Sequence, residues 1–263
     1  MRSNRREFLK IAGVSAISLI APAIFCPAWG KEKLIIPGSE APETLSPMRA
    51  LTAKRWAMAV DPSRCPTDCV DCIAACHTTH NVPVFGNSKD EVKWIWQEKF
   101  DAVFPDESHS YMKDSLHNLQ LPVLCNQCAN PPCVRVCPTK ATFQRPDGIV
   151  MMDYHRCIGC RFCMAACPYG ARSMNYRDPR PYIAKINTQF PTRTKGVVEK
   201  CNFCEERLVR GLMPACVSAC KEKALVFGDL ENPRSEIRLL LGKQFNLRRR
   251  ANLGTQPQIY YIA

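Results

Sequence analysis

Cys157-Ile-Gly-Cys160-Arg-Phe-Cys163-Met-Ala-Ala-Cys167-Pro168 is the stretch whose spacing decides the fold. Three closely spaced thiolates on a looping backbone can reach three corners of one [4Fe–4S] cubane, and the fourth cysteine points away to a second. Such a loop also turns amide N–H groups towards the sulfurs. Pro168 then keeps the chain from continuing on the same local path.

Working outward, the pattern recurs. Upstream stands Cys125-x2-Cys128-x4-Cys133-x3-Cys137-Pro138, and before it Cys65-x3-Cys69-x2-Cys72-x3-Cys76, one residue longer at its first gap. Downstream stands Cys201-x2-Cys204-x11-Cys216-x3-Cys220. All four groups end in Cys-x3-Cys, an approximate internal repeat. Sixteen of the 17 cysteines fall in these groups, and the other is Cys26. Zinc ribbons use paired cysteines but leave no role for a third close cysteine and an offset fourth. A disulfide scaffold is disfavoured because Cys-x2-Cys partners are poorly placed to staple distant segments. Cys72-Ile-Ala-Ala-Cys76-His77 is one residue too long for a c-type haem attachment. The reading is four [4Fe–4S] clusters.

Composition agrees. Apolar residues make up 46% of 263 residues with cysteine included. Without cysteine the share is roughly 40%, below the usual range of about 45–50%. The formal charge of +12 suggests a polyanionic partner at first sight. Counting sixteen thiolates, the cluster cores and loss of the N-terminal segment brings it to about +1, which removes the case for nucleic acid.

Between the second and third groups, Ala141–Gln144 and Gly148–Asp153 read as strands around a Pro146-Asp147-Gly148 turn. Further strands are predicted over Arg55–Val60 and Ala224–Phe227, with short helices after the last cysteine of each group. The fold class is α+β: duplicated bacterial-ferredoxin-like halves with loop insertions.

The N-terminus reads as an address. Arg2-Ser-Asn-Arg5-Arg6-Glu-Phe8-Leu9-Lys10 precedes a moderately apolar stretch from Ile11 to Phe25, too short to span a bilayer. Adjacent arginines before Phe-Leu-Lys resemble a twin-arginine signal, which exports folded proteins to the periplasm. Ala28-Trp29-Gly30 offers a cleavage pattern, and Cys26 is assigned to this segment rather than to a cluster.

From about residue 50 onward the chain resembles a family, the four-cluster ferredoxin-like subunits of membrane-associated molybdopterin and sulfur-metabolism complexes. The four cysteine groups, Asp147-Gly148-Ile149-Val150, Cys201-Asn-Phe-Cys204 and Pro214-Ala-Cys216 through Phe227-Gly228-Asp229 carry the resemblance. Within it, the chain is most similar to the periplasmic Dsr O-type subunits of complexes associated with dissimilatory sulfite reductase. Leu51–Met58, Cys76–Pro83, Lys93-Trp-Ile-Trp96 and Gly254–Tyr261 carry this finer likeness.

The resemblance implies crossed ligation. Cys65, Cys69, Cys72 and Cys220 share one cluster; Cys76, Cys201, Cys204 and Cys216 share a second. Cys125, Cys128, Cys133 and Cys167 share a third; Cys137, Cys157, Cys160 and Cys163 share a fourth. An outer half (51–76 with 198–230) then encloses an inner half (125–175). Residues 1–30 are the signal, 31–50 a linker, 77–124 an insertion, 176–197 a connecting segment and 231–263 a C-terminal extension.

The resemblance also implies a single-electron relay with no substrate of its own, consistent with the lack of a Gly-x4-Gly-Lys nucleotide loop. Its implied partners are an integral membrane quinone-interacting subunit and a multihaem cytochrome c, in sulfur-compound respiration. The equivalent subunit of a polysulfide, thiosulfate or nitrite reductase complex is the alternative, and an exported zinc scaffold a distant one.

His77 and His80 tempt as ligands, but with sixteen cysteines they are expected to pack or hydrogen-bond beside a cluster. Arg135, Lys140, Arg161 and Arg172 lie near ligands and either tune potentials or form a solvated face. Trp94, Trp96, Phe100 and Phe104 in the insertion read as core, with a docking surface as the other option. The Arg248-Arg249-Arg250 run could meet phosphate, a partner or water.

Overall fold

Strand β1 (Trp56–Val60) is buried along its whole length and organises the fold. Its side chains alternate by size. Trp56, Met58 and Val60 face the main core, while Ala57 and Ala59 face a smaller cluster with Val226, Leu230 and Ile237. Small residues on that second face let a helix lie close against the sheet. The computed structural model describes residues 49–263. The segment read as a signal (1–30), with Cys26, and nearly all of the segment read as a linker (31–50) lie outside these described residues.

After β1 the chain runs through the first cysteine group into α1 (Asp71–Thr79), then the hairpin-like pair β2 (Ile95–Lys99) and β3 (Gln120–Leu124). Short helices α2 (Phe100–Val103) and α3 (Asp114–His117) lie between those two strands. Then come α4 (Pro132–Arg135), β4 (Thr142–Gln144), β5 (Val150–Met152), α5 (Phe162–Ala165), β6 (Ser173–Met174) and β7 (Val198–Glu199). The chain closes with α6 (Glu205–Leu208), α7 (Ala215–Ala219), β8 (Leu225–Asp229), α8 (Glu236–Lys243), β9 (Asn246–Leu247) and β10 (Ile259–Ile262).

The main sheet has the order β8-β1-β10-β9. β8 runs antiparallel to β1 with Met58 opposite Phe227, and β10 runs parallel to it with Met58 opposite Ile259. The segment read as a C-terminal extension thus supplies two of the four strands of the central sheet, β9 and β10. α8 covers the Ala57/Ala59 face. Ser235 caps it by accepting from the Arg238 amide at 3.3 Å, and Ile237, Leu240 and Leu241 form its apolar stripe.

The strands expected at Ala141–Gln144 and Gly148–Asp153 form as β4 and β5, joined through the Asp147-Gly148 turn. Three of the expected helices are displaced. α4, α5 and α7 end before the last cysteine of their groups; α1 alone continues past it, to Thr79. The cause is a turn after that cysteine. Lys140, Gly170 and Lys223 each stand three residues beyond it with φ of 54°, 62° and 52°, and each amide donates back to the carbonyl of Cys137, Cys167 or Cys220. A left-handed residue stops a right-handed helix.

The aromatic insertion is core. Trp94, Trp96 and Phe104 are buried, and Phe104 packs edge-on against Tyr261 of β10. Gln97 of β2 donates to the Cys69 carbonyl at 3.1 Å, tying the hairpin to the first cysteine group. Among the described residues, no helix is long and apolar enough to cross a membrane.

Candidate metal centres

All four cysteine loops share one backbone device. The residue immediately before the second cysteine is left-handed in each: Asp68, Gln127, Gly159 and Phe203, with φ of 61°, 44°, 68° and 57°. Such a conformation costs a non-glycine residue about 1–2 kcal/mol, so three of the four loops hold strain at this position. The Gly159 loop holds it two residues later at Arg161, with φ of 64°. The reversal turns successive N–H groups inward, as in an anion-binding nest. Phe203 donates its amide to Cys201 Sγ at 3.4 Å, Ala215 to Cys204 Sγ at 3.3 Å and Ala224 to Cys220 Sγ at 3.2 Å. Glycine is required at 159 for a second reason: a Cβ there would stand 2.5 Å from the Gly196 carbonyl oxygen.

The folded chain brings distant cysteines together. Cys65, Cys69, Cys72 and Cys220 line one cavity of about 170 Å³, walled by Pro66, Pro122 and Leu225. Burial, then the neighbouring Cys65, Cys220 and Cys69 sulfurs, push the Cys72 thiol up to about 12. Cys76, Cys201, Cys204 and Cys216 are all buried. Burial and then Cys216, Cys201 and Cys204 drive Cys76 well above its ordinary value.

Cys125, Cys128, Cys133 and Cys167 line a further cavity with Tyr169 and Arg172. There burial and Cys125 push Cys128 up to about 12, with Cys133 and Cys167 adding to it. In the remaining group Cys163 has Cys157 as an electrostatic neighbour. Cys160 lies half-buried in the same loop, and Cys137 ends the turn before β4. Burial opposes ionisation of Cys137, but the Thr142 amide, the Thr139 hydroxyl and the Ala141 amide outweigh it and lower its pKa.

The sets also adjoin one another. Cys72 is a neighbour of Cys76 and Cys216, Cys125 of Cys201, and Cys133 of Cys163. None of the sixteen described cysteines is joined in a disulfide. Sulfurs gathered in a buried place can all be thiolates only with a compact cationic core between them. This donor set fits an iron–sulfur cluster, which is bound by thiolates.

His80 is fully buried beside the second set. It stacks on Trp94 with ring centroids 4.4 Å apart, and its Nδ1 faces the Cys76 carbonyl at 2.9 Å. Its Nε2 meets Glu206 Oε1 at 3.0 Å, and ligand atoms of His80, Cys204 and Glu206 all lie within 4.8 Å of one another. His80 thus packs and hydrogen-bonds at the sulfur shell. His77 is half-buried, and its pKa is lowered by burial. Of the four cations near ligands, Arg135, Lys140 and Arg161 are exposed. Arg172 is buried and donates to Cys133 Sγ at 3.0 Å and Thr142 Oγ1 at 2.7 Å.

Sequence reasoning missed a buried ion pair that braces this region. Arg193 Nη2 meets Glu199 Oε2 at 2.6 Å, and Trp94 Nε1 donates to the same oxygen at 2.9 Å. Arg193 also donates to the Asn81 carbonyl at 2.9 Å and to that of His80, joining the connecting segment to the end of α1.

The 4Fe–4S dicluster domain matches residues 116–188 and 177–230. The Hdr-like menaquinol oxidoreductase iron–sulfur subunit 1 of Archaeoglobus fulgidus is 41% identical, over 98% of this chain and 97% of its own. This chain belongs to that iron–sulfur subunit family. The iron–sulfur cluster-binding subunit of menaquinone reductase from Nitratidesulfovibrio vulgaris is 35% identical, over 80% of this chain and 89% of its own. The B subunit of polysulfide reductase from Wolinella succinogenes is 37% identical, over 80% of this chain and 95% of its own. The chain is therefore an iron–sulfur electron-transfer subunit of the kind found in membrane quinone oxidoreductase complexes, with a mixed helix and strand fold built on 4Fe–4S dicluster domains.

Proposed function

We propose that this iron–sulfur subunit relays single electrons through four [4Fe–4S] clusters in a row. The observation that carries the reading is the order of sulfur neighbours just described. The Cys65/69/72/220 set adjoins the Cys76/201/204/216 set, which adjoins Cys125/128/133/167, which adjoins Cys137/157/160/163. Each set is taken to hold one cluster, and the two halves form a duplicated ferredoxin-like pair. The four repeated left-handed positions support that duplication. The second set is wholly buried, whereas the first and fourth each keep three half-exposed cysteines. Electrons enter and leave by those two ends.

The partner is an integral membrane subunit that exchanges electrons with quinone, a reading supported by the menaquinol and menaquinone in the names of two relatives. A multihaem cytochrome c is the second partner, in sulfur-compound respiration at the periplasmic face of the membrane. Ile158 and Phe162, 67% and 58% exposed within the Cys157–Cys163 loop, suit that end for a docked protein.

Anaerobically matured protein is expected to carry about sixteen iron and sixteen sulfide per chain. Cys220→Ser should lower both towards about twelve and alter the centre of Cys65, Cys69 and Cys72, although they lie far away in sequence. Iron loss confined to the centre of Cys201, Cys204 and Cys216 would refute the crossed sets. Separately, Arg5→Lys with Arg6→Lys should leave the precursor in the cytoplasm on cell fractionation. Efficient recovery of that variant from the periplasm would refute the export route.

A further inference from the structure

Three buried cations stand at the walls of the cavity lined by Cys125, Cys128, Cys133 and Cys167. Arg172 lines the Cys125/128/133/167 cavity and donates to Cys133 Sγ at 3.0 Å. Arg249 lies with its guanidinium 5.5 Å from the Tyr169 ring centroid, and Tyr169 lines the same cavity. Lys200 donates to the carbonyls of Val150, another lining residue, and of Cys201. The relative exposures of Arg172, Lys200 and Arg249 are 4%, 1% and 5%. Among the described residues, none of the three forms an ion pair with a carboxylate. Arg249 leaves Nε and Nη1 without any partner.

A buried cation without a counter-charge is costly, so something anionic must stand close by. A cubane with four thiolates supplies that charge. It is a dianion when oxidised and a trianion after one-electron reduction. Cations fixed beside it favour the reduced form, and burial strengthens their effect. The other sets hold less: the second has Lys200 beside Cys201 but also Glu206 beside Cys204, with His80 hydrogen-bonded to it, and the fourth shares Arg172 through Cys163. At the first set the flanking charges, Asp71, Lys221 and Glu222, are mixed in sign and exposed.

We propose that Arg172, Lys200 and Arg249 make the centre held by Cys125, Cys128, Cys133 and Cys167 the highest-potential site on the chain, where an electron rests. The inference rests on the ligand sets of the proposed function. The electron arrives from an adjoining centre, which is oxidised as this one is reduced, and no proton is needed. A resting place of this kind lets the relay hold one electron of a two-electron donor while the other moves on.

The test is a potentiometric titration of the holo-protein followed by electron paramagnetic resonance. Cys128→Ser first identifies the signal, because it should change one centre. Arg172→Met and Arg249→Met should each lower the midpoint of that signal by 59 mV or more, a tenfold change in a one-electron equilibrium. Arg172→Lys should move it by less than half as much, and Arg135→Met, at an exposed site, should leave it in place. Arg249 donates to no cysteine sulfur, so Arg249→Met serves if Arg172→Met fails to assemble. The proposal falls if that midpoint is unmoved in Arg249→Met and in any assembled Arg172→Met, or if all four midpoints drop together. If Cys128→Ser changes several signals or none, the ligand sets are refuted instead.

Discussion

Removing the iron from this chain is expected to unfold the cysteine-bearing segments while sparing much of the β1/β8/β10 sheet. The helices that present the ligands are too short to stand alone. α4, α5 and α6 have four residues each and α7 has five, whereas isolated helices below about 12–15 residues are marginal even in favourable sequences. Their loops also hold strained left-handed residues at Asp68, Gln127 and Phe203. In such sites the free energy of metal binding is folding free energy. The main core itself includes Cys72, Cys76, Cys128, Cys201 and Cys216, so losing their ligation opens it from within. The sheet has independent support from its other face, where Ala57, Ala59 and Val226 pack against Leu230 and Ile237 in a separate cluster. Amide exchange after anaerobic chelation should show protection lost across residues 61–79, 125–175 and 198–224 and retained in β1, β8 and β10. Retained protection in the cysteine loops would mean that the polypeptide alone holds them.

Glu199→Gln is expected to destabilise the holo-protein by about 3–5 kcal/mol, the usual result of leaving one member of a buried ion pair behind. Both side chains of the pair are 0% exposed, so solvent gives the remaining Arg193 charge no relief. The substitution also weakens acceptance from Trp94 Nε1 and from Asn175 Nδ2, which both donate to the Glu199 carboxylate. Arg193 stacks against Trp94 and Phe190, so its displacement would loosen the wall behind His80. The double variant Arg193→Met with Glu199→Gln should recover part of the loss, since it removes the orphaned charge. Denaturant unfolding of anaerobic holo-protein measures both. A single variant within about 0.5 kcal/mol of the parent would mean the pair is not isolated from water.

Local patterns were legible in the sequence and distant ones were not. The cysteine spacing fixes where the loops lie, and Asp147-Gly148 marks the turn between β4 and β5. The helices were misplaced because Cys-x3-Cys equals roughly one helical turn, which suits a helix before the last cysteine as well as one after it. The left-handed Lys140 and Lys223 that decide the matter are lysines, with nothing in their identity to announce a positive φ. β10 was missed because Ile-Tyr-Tyr-Ile is only four residues long and its partner lies at the other end of the chain. Charge shows the same limit. Arg161 and Arg172 are alike as residues near ligands, yet one is exposed and the other touches a sulfur. Arg248-Arg249-Arg250 reads as one basic run, but the fold buries its middle member and turns Arg250 to the Pro168 carbonyl at 2.8 Å.

The parallel pairing of β1 with β10 sets a timetable. Met58 finds its partner Ile259 about 200 residues downstream, so at ordinary translation speeds β1 waits on the order of 10–40 s for that neighbour. Cys125 through Cys167 emerge together in the middle of that interval, with both inner ligand sets of the proposed relay already complete. Cys65, Cys69, Cys72 and Cys76 appear earlier but must wait for Cys201 through Cys220. The inner pair of centres can therefore be loaded on a nascent chain, and the outer pair only near the end of synthesis. Any machinery that delivers iron and sulfide to this chain would meet its two halves in the reverse of their order along the sequence, inside first.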